Sequence, residues 1–341
     1  MTPKLGEIAA SLTVFQRTPS FAVPAGNRPL KPDEQDALMP RMADLREQAR
    51  NSPLGWFDGP GPGTAKADTP EGRTRRFEEY WAGGTTGLLR AYEDLLFDEE
   101  SNAFAAEFAR GKIAEVVKDE QTARRMTPTG YPIGSRRLCS EIGYYEAMNR
   151  DNVRLVDLRE EPVIEIDGGA LVTQDGRYPL DALVFATGFD AMTGAIKAID
   201  IAGRGGIKLA EEWTDGPRSY LGLAVSGFPN LFTVIGPGSP SVLSNVVVSI
   251  EQHVEWIADC LDALRAKGAT TIEATESAEQ SWMEHVDQAA RLTLFPRSDS
   301  WYLGRTRDGR KVFMPYVGGV GAYRARCTGA AREGYAGFKI D

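Results

Sequence analysis

The clearest pattern of apolar positions along the chain predicts one long helix, followed by a residue suited to end it. Apolar residues recur at alternating intervals of four and three, which places them on one face of a helix: Leu243, Val247, Ile250, Val254, Ile257, Leu261 and Leu264. Gly268 follows Lys267 and can adopt the left-handed conformation that ends many helices. We expect this face to contact the core, because a coiled coil usually needs a longer heptad repeat.

Shorter runs predict strands and further helices, so the chain reads as an α/β protein with a mostly helical stretch. Leu180–Phe185 and Asn230–Ile235 are apolar runs of the kind found in buried parallel strands. Further strands are predicted at Leu12–Gln16, Asn152–Val156, Val163–Ile166, Ala170–Val172 and Val312–Tyr316. Further helices are predicted at Asp33–Arg50 with an interruption at Pro40, Glu71–Trp81, Thr86–Leu96, Asn102–Lys118, Ser140–Asn149, Ala278–Leu294 and Tyr323–Glu333.

Composition and charge exclude several classes of protein. Of the 341 residues, 42% are hydrophobic and 26% are charged, which is ordinary for a globular chain. Lys and Arg number 39 against 48 Asp and Glu, so the net charge is −9. An acidic chain without a long basic run is a poor partner for nucleic acid or an anionic membrane. No apolar run approaches ~18 residues, so no membrane span is predicted.

Cysteine and histidine usage argues against metal sites and disulfides. The three cysteines, Cys139, Cys260 and Cys327, are widely spaced and form no CxxC pair. They fit a reducing, cytoplasmic location. The two histidines, His253 and His285, both fall in predicted helices, which leaves no set for a zinc site or a Ser-His-Asp triad. We therefore expect no metal centre.

Two glycine-containing turns follow predicted strands. Gly236-Pro237-Gly238 leads from one strand towards the long helix, and Ala186-Thr187-Gly188 ends another. Small residues at these positions let a cofactor approach the backbone. A tight turn that needs glycine only for backbone reasons is the alternative interpretation of each.

Taken together, segments along nearly the whole chain resemble the flavin-dependent Baeyer–Villiger monooxygenases of the phenylacetone and cyclohexanone monooxygenase type. The segments that carry the resemblance are Leu12–Pro19, Arg136–Cys139, Gly143–Tyr145, Asn149–Val153, Ala186–Ala191, Phe228–Phe232, Gly236–Ser241, Ser249–Trp256 and Tyr335–Phe338. The resemblance implies FAD and NADP (as NADPH) as cofactors. It also implies insertion of one oxygen atom from O₂ next to a ketone carbonyl, through a flavin peroxide, to give an ester or lactone.

The resemblance also implies a catalytic residue. Arg137 stands where the family has its active-site arginine. An anionic peroxide and an anionic adduct both call for a fixed cation, and arginine stays protonated and can hold more than one oxygen. An ordinary surface salt bridge is the alternative role for Arg137.

Further site residues follow from the same resemblance. Arg17, Thr18 and Arg136 correspond to a pocket for the adenosine phosphate of NADPH, and Trp301 to a tryptophan on a loop beside the nicotinamide. Val246 corresponds to a position against the flavin, with a core valine as the alternative. The full cofactor set is Arg17, Thr18, Arg136, Ala186, Thr187, Gly188, Gly236, Pro237, Gly238, Val246 and Trp301. Ser241, Val242 and Leu243 would line the substrate pocket, and their apolar character suggests a small hydrophobic ketone.

Some of the family's motifs are missing from this sequence. It contains neither of the family's Gly-x-Gly-x-x-Gly fingerprints and no Phe-x-Gly-x-x-x-His-x-x-x-Trp signature. We therefore expect a C-terminal portion with parts of two Rossmann-like domains: residues 1–23 begin the NADP domain, 24–131 are a helical insertion, 132–188 complete the NADP domain, and 189–341 belong to the FAD domain.

Two alternatives to an active oxygenase stay open. One is that the chain is a non-catalytic remnant, or a half-enzyme that needs a separate N-terminal half. An N-hydroxylating or sulfur-oxidising flavin monooxygenase is the other. The helical insertion at Pro32–Met126 and the surroundings of Arg137 argue against it.

Overall fold

The computed structural model describes residues 1–57, 59–84 and 87–341, and these form two compact units. Unit 1 comprises Met1–Arg28 and Pro60–Gly188, and unit 2 comprises Pro29–Gly59 and Phe189–Asp341. Helices and strands occur in both, which confirms the α/β class. The predicted helical insertion is divided between the units, and its boundaries remain a prediction.

Helices dominate the described secondary structure. In chain order they are α1 (Thr2–Ile8), α2 (Pro32–Leu38), α3 (Met42–Asn51), α4 (Pro70–Ala82), α5 (Glu99–Val116), α6 (Glu120–Met126), α7 (Tyr144–Ala147), α8 (Gly194–Lys197), α9 (Leu209–Glu212), α10 (Val246–Lys267), α11 (Glu276–Arg291) and α12 (Val320–Arg332). Short 3₁₀ turns lie at Met39–Arg41, Ala65–Ala67, Leu88–Arg90, Arg204–Gly206, Trp213–Asp215, Ser241–Leu243 and Phe295–Arg297.

The strands are short and form small sheets. In chain order they are β1 (Leu12–Gln16), β2 (Ala22–Pro24), β3 (Cys139–Glu141), β4 (Val153–Asp157), β5 (Val163–Asp167), β6 (Ala170–Thr173), β7 (Arg177–Pro179), β8 (Ile272–Ala274), β9 (Leu303–Arg305), β10 (Lys311–Phe313) and β11 (Phe338–Ile340). β1 pairs with β4 and β2 with β3, both in parallel. β5, β6 and β7 form an antiparallel sheet, and β9–β10 and β8–β11 are antiparallel pairs.

Unit 1 packs helices against its two parallel strand pairs. The register of β1 and β4 runs from Leu12 opposite Val153 to Gln16 opposite Asp157. Two apolar clusters fill this unit, one around Phe77, Tyr92 and the alanines of α5, the other around α6, α7 and β4. α5 begins at the side chain of Asp98, which accepts the N–H groups of Glu100 and Ser101, as expected for an N-cap.

Unit 2 is built around three helices and a cluster of aromatic side chains. α10, α11 and α12 contribute Trp256, Trp282 and Tyr323 to one buried core. α3 lies beside them, because Arg50 forms ion pairs with Glu251 and Glu255 on α10. Gly268 has a φ of 66° and ends α10, as predicted.

Two predicted buried strands are wrong. Residues 180–185 lie outside any strand of the described chain and are largely exposed, with Phe185 72% accessible. Residues 230–235 are likewise not in a strand. An apolar run becomes a buried parallel strand only where neighbouring strands take up its N–H and C=O groups along its length. Neither segment belongs to a strand pair among the described residues: the N–H of Asn230 donates to Ile272 of β8, but the N–H of Thr233 donates to Leu223, which lies outside any strand.

The predicted core face of α10 is wrong in part: Leu264 is buried and Ile257 packs against the core of unit 2, but four other residues of this face are exposed. Val247 and Val254 are 62% and 52% exposed, and Ile250 and Leu261 are exposed as well. The face that packs into unit 2 instead carries Ser249, Gln252, His253, Trp256, Cys260 and Leu264. α10 therefore has two faces that could be buried, and the described residues cover the more polar one.

Other predicted elements differ in extent. The Asp33–Arg50 helix occurs as α2 and α3, separated at Pro40 as expected. Of the predicted Thr86–Leu96 helix, Thr86 lies outside the described residues, and the remainder contains only the 3₁₀ turn Leu88–Arg90. The predicted Ser140–Asn149 helix is mostly wrong, since Cys139–Glu141 is a strand and only Tyr144–Ala147 is helical.

Candidate functional site

In unit 1, the predicted phosphate-binding residues lie at the carboxyl end of a parallel strand. Arg17 and Thr18 directly follow β1, which pairs in parallel with β4. Ligands of parallel α/β sheets bind at this end of the strands. The Arg17 side chain is exposed and has no ion-pair partner among residues 1–57, 59–84 and 87–341. Arg17 is therefore a cation that can bind an anionic ligand.

Tyr131 brings the segment after β1 close to Arg136. Its hydroxyl donates to the carbonyl oxygen of Pro19 at 2.9 Å. The Arg136 guanidinium lies over the face of the same ring, 4.5 Å from its centroid. Burial raises the pKa of Tyr131, so the ring stays neutral and attracts the cation through its π face. Tyr131 was not predicted as a site residue, because nothing in the local sequence pattern indicates that it contacts Pro19 and Arg136.

The backbone ahead of β3 runs beside the same segment. The N–H of Cys139 donates to the carbonyl of Phe21 at 3.2 Å, and Cys139 lies opposite Ala22 in the β2–β3 register. Arg136 and Arg137 immediately precede this pairing. The structure thus places Arg17, Thr18, Arg136 and Arg137 in one neighbourhood of unit 1, which we call the basic cluster.

Arg136 has a donor available for a ligand. Its Nε atom is buried and forms no hydrogen bond within the described chain. A buried donor without an acceptor costs free energy, so such an atom usually has a partner that the protein does not supply. An anionic oxygen near this atom would satisfy it, and this observation fits a phosphate at the basic cluster.

Ala186, Thr187 and Gly188 lie at the end of unit 1. All three are exposed, and Gly188 has a φ of 90° with open space around its Cα. The positive φ requires glycine there, which agrees with a turn.

In unit 2, the Gly236-Pro237-Gly238 loop is buried and held by hydrogen bonds to protein atoms. The N–H of Gly238 donates to the Met314 carbonyl at 2.7 Å, and the N–H of Ser239 donates to the Gly236 carbonyl at 3.1 Å. Trp282 Nε1 donates to the Gly238 carbonyl at 3.1 Å. Since these two N–H groups are already used, they cannot also hold a phosphate. The loop can still meet a cofactor through close backbone contact.

The loop is braced by a buried histidine that the sequence analysis treated only as a helix residue. His253 on α10 accepts the N–H of Ile235 at Nδ1, at 3.0 Å. Its Nε2 lies 2.8 Å from the hydroxyl of Tyr323. Burial lowers the pKa of His253 to about 4, so the ring is neutral at neutral pH. A single histidine in a predicted helix does not indicate from sequence that its ring accepts the N–H of Ile235.

The predicted substrate-pocket residues precede α10. Ser241–Leu243 form a 3₁₀ turn in which Ser241 is buried, and its hydroxyl lies 3.7 Å from the sulfur of Met192. Val242 and Leu243 are half-buried, as is Val246 at the first position of α10. The structure therefore gathers these four predicted residues in one short segment directly after the glycine loop.

Trp301 lies on a separate element of unit 2. Its ring is 43% exposed and packs edge-on against Tyr302, with centroids 4.5 Å apart. The hairpin that follows is β9–β10. Asp299 pairs with two of its cations, Arg305 at 3.1 Å and Lys311 at 2.8 Å. These ion pairs neutralise part of the positive charge of the hairpin.

In residues 1–57, 59–84 and 87–341, no group of three or more His, Cys, Asp or Glu side chains could hold a metal ion. Within the same ranges, every helix is too short or too polar to cross a membrane.

Comparison with known proteins gives relatives along almost the whole chain. A 2-oxo-Δ3-4,5,5-trimethylcyclopentenylacetyl-CoA monooxygenase from Pseudomonas putida is 37% identical over 99% of this chain. A phenazine N-monooxygenase from Lysobacter antibioticus is 38% identical over 97%, and a Baeyer–Villiger monooxygenase from Pseudooceanicola batsensis is 36% identical over 96%. No protein-family profile matches the chain.

Solved structures share the fold. An oxidised steroid monooxygenase bound to NADP superposes with a TM-score of 0.94 over 99% of this chain, at 43% identity, and the match covers 64% of its own chain. A structure of OTEMO complexed with FAD and NADP superposes with a TM-score of 0.96 over 100% of this chain, at 35% identity, and the match covers 63% of its chain.

The match is partial from the relatives' side. The chain spans 63%, 61% and 60% of the lengths of the three curated relatives, in the order given above. The relatives therefore contain a substantial part that has no counterpart in these 341 residues.

Proposed function

We propose a function for this chain from one premise: it belongs to the family of Baeyer–Villiger monooxygenases. The chain is part of an FAD- and NADPH-dependent enzyme that inserts one atom of O₂ next to a ketone carbonyl and forms an ester or lactone. The observation that carries this proposal is similarity along almost the whole chain to enzymes that are named for this reaction or crystallised with both cofactors.

The basic cluster fits the adenosine phosphate of NADPH. Arg17 is an exposed cation at the carboxyl end of β1, and Arg136 carries a buried Nε that lacks an acceptor. Thr18, the residue after Arg17, adds a hydroxyl group. Guanidinium groups hold phosphate oxygens through charge-assisted hydrogen bonds, so we assign these three residues to that phosphate.

FAD would meet the chain mainly through close contact. Ala186, Thr187 and Gly188 expose backbone, and the Gly236-Pro237-Gly238 loop presents small residues ahead of Val246. Trp301 is an exposed aromatic ring of unit 2 that we assign to the nicotinamide side. When bound, NADPH and FAD supply the reducing equivalents and the activation of O₂.

Arg137 supplies a fixed positive charge in this scheme. It is exposed and adjacent to Arg136 in the basic cluster. A guanidinium is a fixed cation with several donors, so Arg137 can stabilise negative charge that develops on the substrate's carbonyl oxygen. Its role is to bind and orient the oxygens of the reacting groups.

The substrate is a small hydrophobic ketone in this proposal. Val242 and Leu243 offer apolar surface, and Ser241 offers a hydroxyl in the same 3₁₀ turn. Pockets for small molecules combine a mostly apolar lining with a few polar groups, and this segment has that composition.

A missing N-terminal half is the partner that we propose. The chain spans only 63% of the first relative. The exposed apolar residues of α10 and of residues 180–185 would be covered by that half, because large apolar patches rarely stay exposed. In this division residues 1–23 and 132–188 form the NADP domain, 24–131 the insertion and 189–341 part of the FAD domain. The free thiols fit a cytoplasmic location.

One observation favours a second candidate function, N-oxygenation. The phenazine N-monooxygenase aligns with 97% of this chain, so its match includes most of the helical insertion. The presence of the helical insertion therefore does not distinguish ketone oxygenases from N-oxygenases. This differs from the prediction made from the sequence, in which the insertion argues against N-oxygenation.

The test is oxygenation by the chain combined with a polypeptide that carries the remaining part of a Baeyer–Villiger relative. With FAD, NADPH, isotopically labelled O₂ and a hydrophobic cyclic ketone, we expect an ester or lactone that contains one labelled oxygen, detected by mass spectrometry. A phenazine substrate serves as the comparison. An N-oxide together with no ester from any ketone would replace the proposal by N-oxygenation.

A further inference from the structure

We propose that His253 and Tyr323 form a hydrogen-bonded brace that positions the Gly236-Pro237-Gly238 loop. Both side chains lie in unit 2 and are fully buried. Neither was predicted from the sequence to be a site residue. The inference rests on the proposed function only in treating this loop as facing a cofactor, since the brace itself is a property of the chain alone.

The first observation is that two neighbouring turns are strained. Ile235, directly before the loop, has a φ of 60°, and Leu221 has a φ of 56°. Side chains with a Cβ rarely adopt this left-handed region, and β-branched isoleucine is especially disfavoured there. Such residues persist only where surrounding contacts hold them. Something in unit 2 must therefore fix both turns.

The two turns are packed against each other. A Cβ at Gly236 would lie 2.5 Å from the carbonyl oxygen of Gly222, the residue after Leu221. Thr233 links the turns, because its hydroxyl donates to the same Gly222 carbonyl at 2.9 Å. Its N–H donates to the Leu223 carbonyl at 2.8 Å. A shift of either turn would therefore move the other and the loop that follows.

The brace reaches one backbone group at each strained residue. The N–H of Ile235 donates to His253 Nδ1 at 3.0 Å, so that nitrogen carries no proton. The proton is then on Nε2, which donates to the Tyr323 hydroxyl at 2.8 Å. The Tyr323 hydroxyl in turn donates to the carbonyl oxygen of Leu221. The relay thus connects Ile235 to Leu221 through two side chains.

The direction of this relay distinguishes positioning from ordinary packing. Each ring nitrogen of His253 has one partner and the Tyr323 hydroxyl has two, so reversing one bond would leave a buried group unpaired. A hydrophobic pair of similar volume could fill the same space but could not hold the Ile235 N–H. We therefore class His253 and Tyr323 as positioning residues of the glycine loop.

The test distinguishes the roles of the two ring nitrogens of His253. The amide oxygen of asparagine can take the place of Nδ1, whereas the amide nitrogen of glutamine reaches the place of Nε2. Amide hydrogen exchange of Ile235 and Gly238, followed by NMR in the isolated chain, gives the readout. We expect His253→Gln and Tyr323→Phe to speed exchange at these amides by about tenfold, and His253→Asn to restore protection at Ile235.

The matched control is His285→Gln. His285 is the other histidine of the chain; it lies half-buried on α11, with Nε2 3.3 Å from the Tyr316 hydroxyl. This variant should leave exchange at Ile235 and Gly238 unchanged. Urea unfolding of every variant separates a local effect from a global one, because global loss of stability would speed exchange throughout the unit 2 core.

The imidazole nitrogen shifts of the unmodified chain supply a second test that needs no variant to fold. We expect Nδ1 to be unprotonated and Nε2 protonated in His253. A proton on Nδ1, or equal acceleration in the asparagine and glutamine variants, would overturn the proposal. No cofactor is needed, so a lack of oxygenation by the chain combined with the remaining part of a relative would count against the proposed function and leave this result unaffected.

Discussion

Replacing Arg137 by alanine in the complete oxygenase is expected to abolish ester formation while leaving FAD bound. Removal of one group that stabilises developing negative charge usually lowers the rate by about 10²–10³. Arginine also holds its oxygens in fixed geometry, so Arg137→Lys should recover only part of the rate. The measurement is the rate of ester formation from a hydrophobic ketone at saturating NADPH, with bound flavin determined from the visible spectrum.

The matched control is Arg124→Ala. Arg124 is a largely exposed arginine of unit 1 that pairs with Glu120 one turn away on α6. Such surface pairs contribute about 0–1 kcal/mol, so its loss should leave the rate unchanged. Full ester formation by Arg137→Ala would refute the catalytic assignment, and loss of flavin in that variant would point to a structural role instead.

Replacing Gly222 by alanine should destabilise unit 2 by about 3–5 kcal/mol. The φ of Gly222 is 68°, and a Cβ there would lie 2.7 Å from the backbone nitrogen of Ser239. The added methyl group therefore meets backbone that cannot move without displacing the glycine loop. The measurement is the free energy of unfolding in urea, followed by tryptophan fluorescence.

Gly329→Ala is the control for this substitution and should have the opposite sign. Gly329 lies within α12, and nothing stands within 4 Å of the position of a new Cβ. Alanine favours a helix interior over glycine by about 0.5–1 kcal/mol, so this variant should be slightly more stable. Equal stability of the two variants would show that the packing around Gly222 is looser than described.

Local patterns predicted many elements because short-range chemistry decides them. Leu12–Gln16 is a strand over its predicted bounds, and the interruption at Pro40 separates α2 from α3. Gly268 ends α10 in the left-handed conformation. In each case a single residue type or a short run carries the information, and distant residues change little.

Features that depend on distant partners could not be predicted in the same way. The apolar stripe of α10 shows that one face can be buried, but periodicity does not say whether the chain covers it. The run at 180–185 has strand composition but lacks neighbouring strands in the described chain. Both errors arise because burial is a property of two surfaces, and a sequence pattern reports only one.

The candidate site was likewise predicted only in part: the sequence indicated some of its residues, and contacts with distant residues were missed. The family resemblance implied a phosphate pocket of Arg17, Thr18 and Arg136 and a catalytic role for Arg137, and the parallel pairs β1–β4 and β2–β3 bring the segments that carry these residues close together. The supporting contacts of Tyr131 and His253 were missed. Tyr131 bonds to Pro19 across 112 positions of sequence, and His253 bonds to a non-glycine residue with positive φ, which no propensity would predict.

The most direct test of the central claim is the flavin content of the purified chain, alone and combined with the remaining part of a Baeyer–Villiger relative. We predict that the chain alone shows no flavin absorption after gel filtration with excess FAD, because its sequence contains no Gly-x-Gly-x-x-Gly fingerprint and the N–H of Gly238 is already bonded to Met314. The combined preparation should retain stoichiometric FAD. Stoichiometric FAD on the chain alone would contradict the claim that it supplies only part of the flavin site.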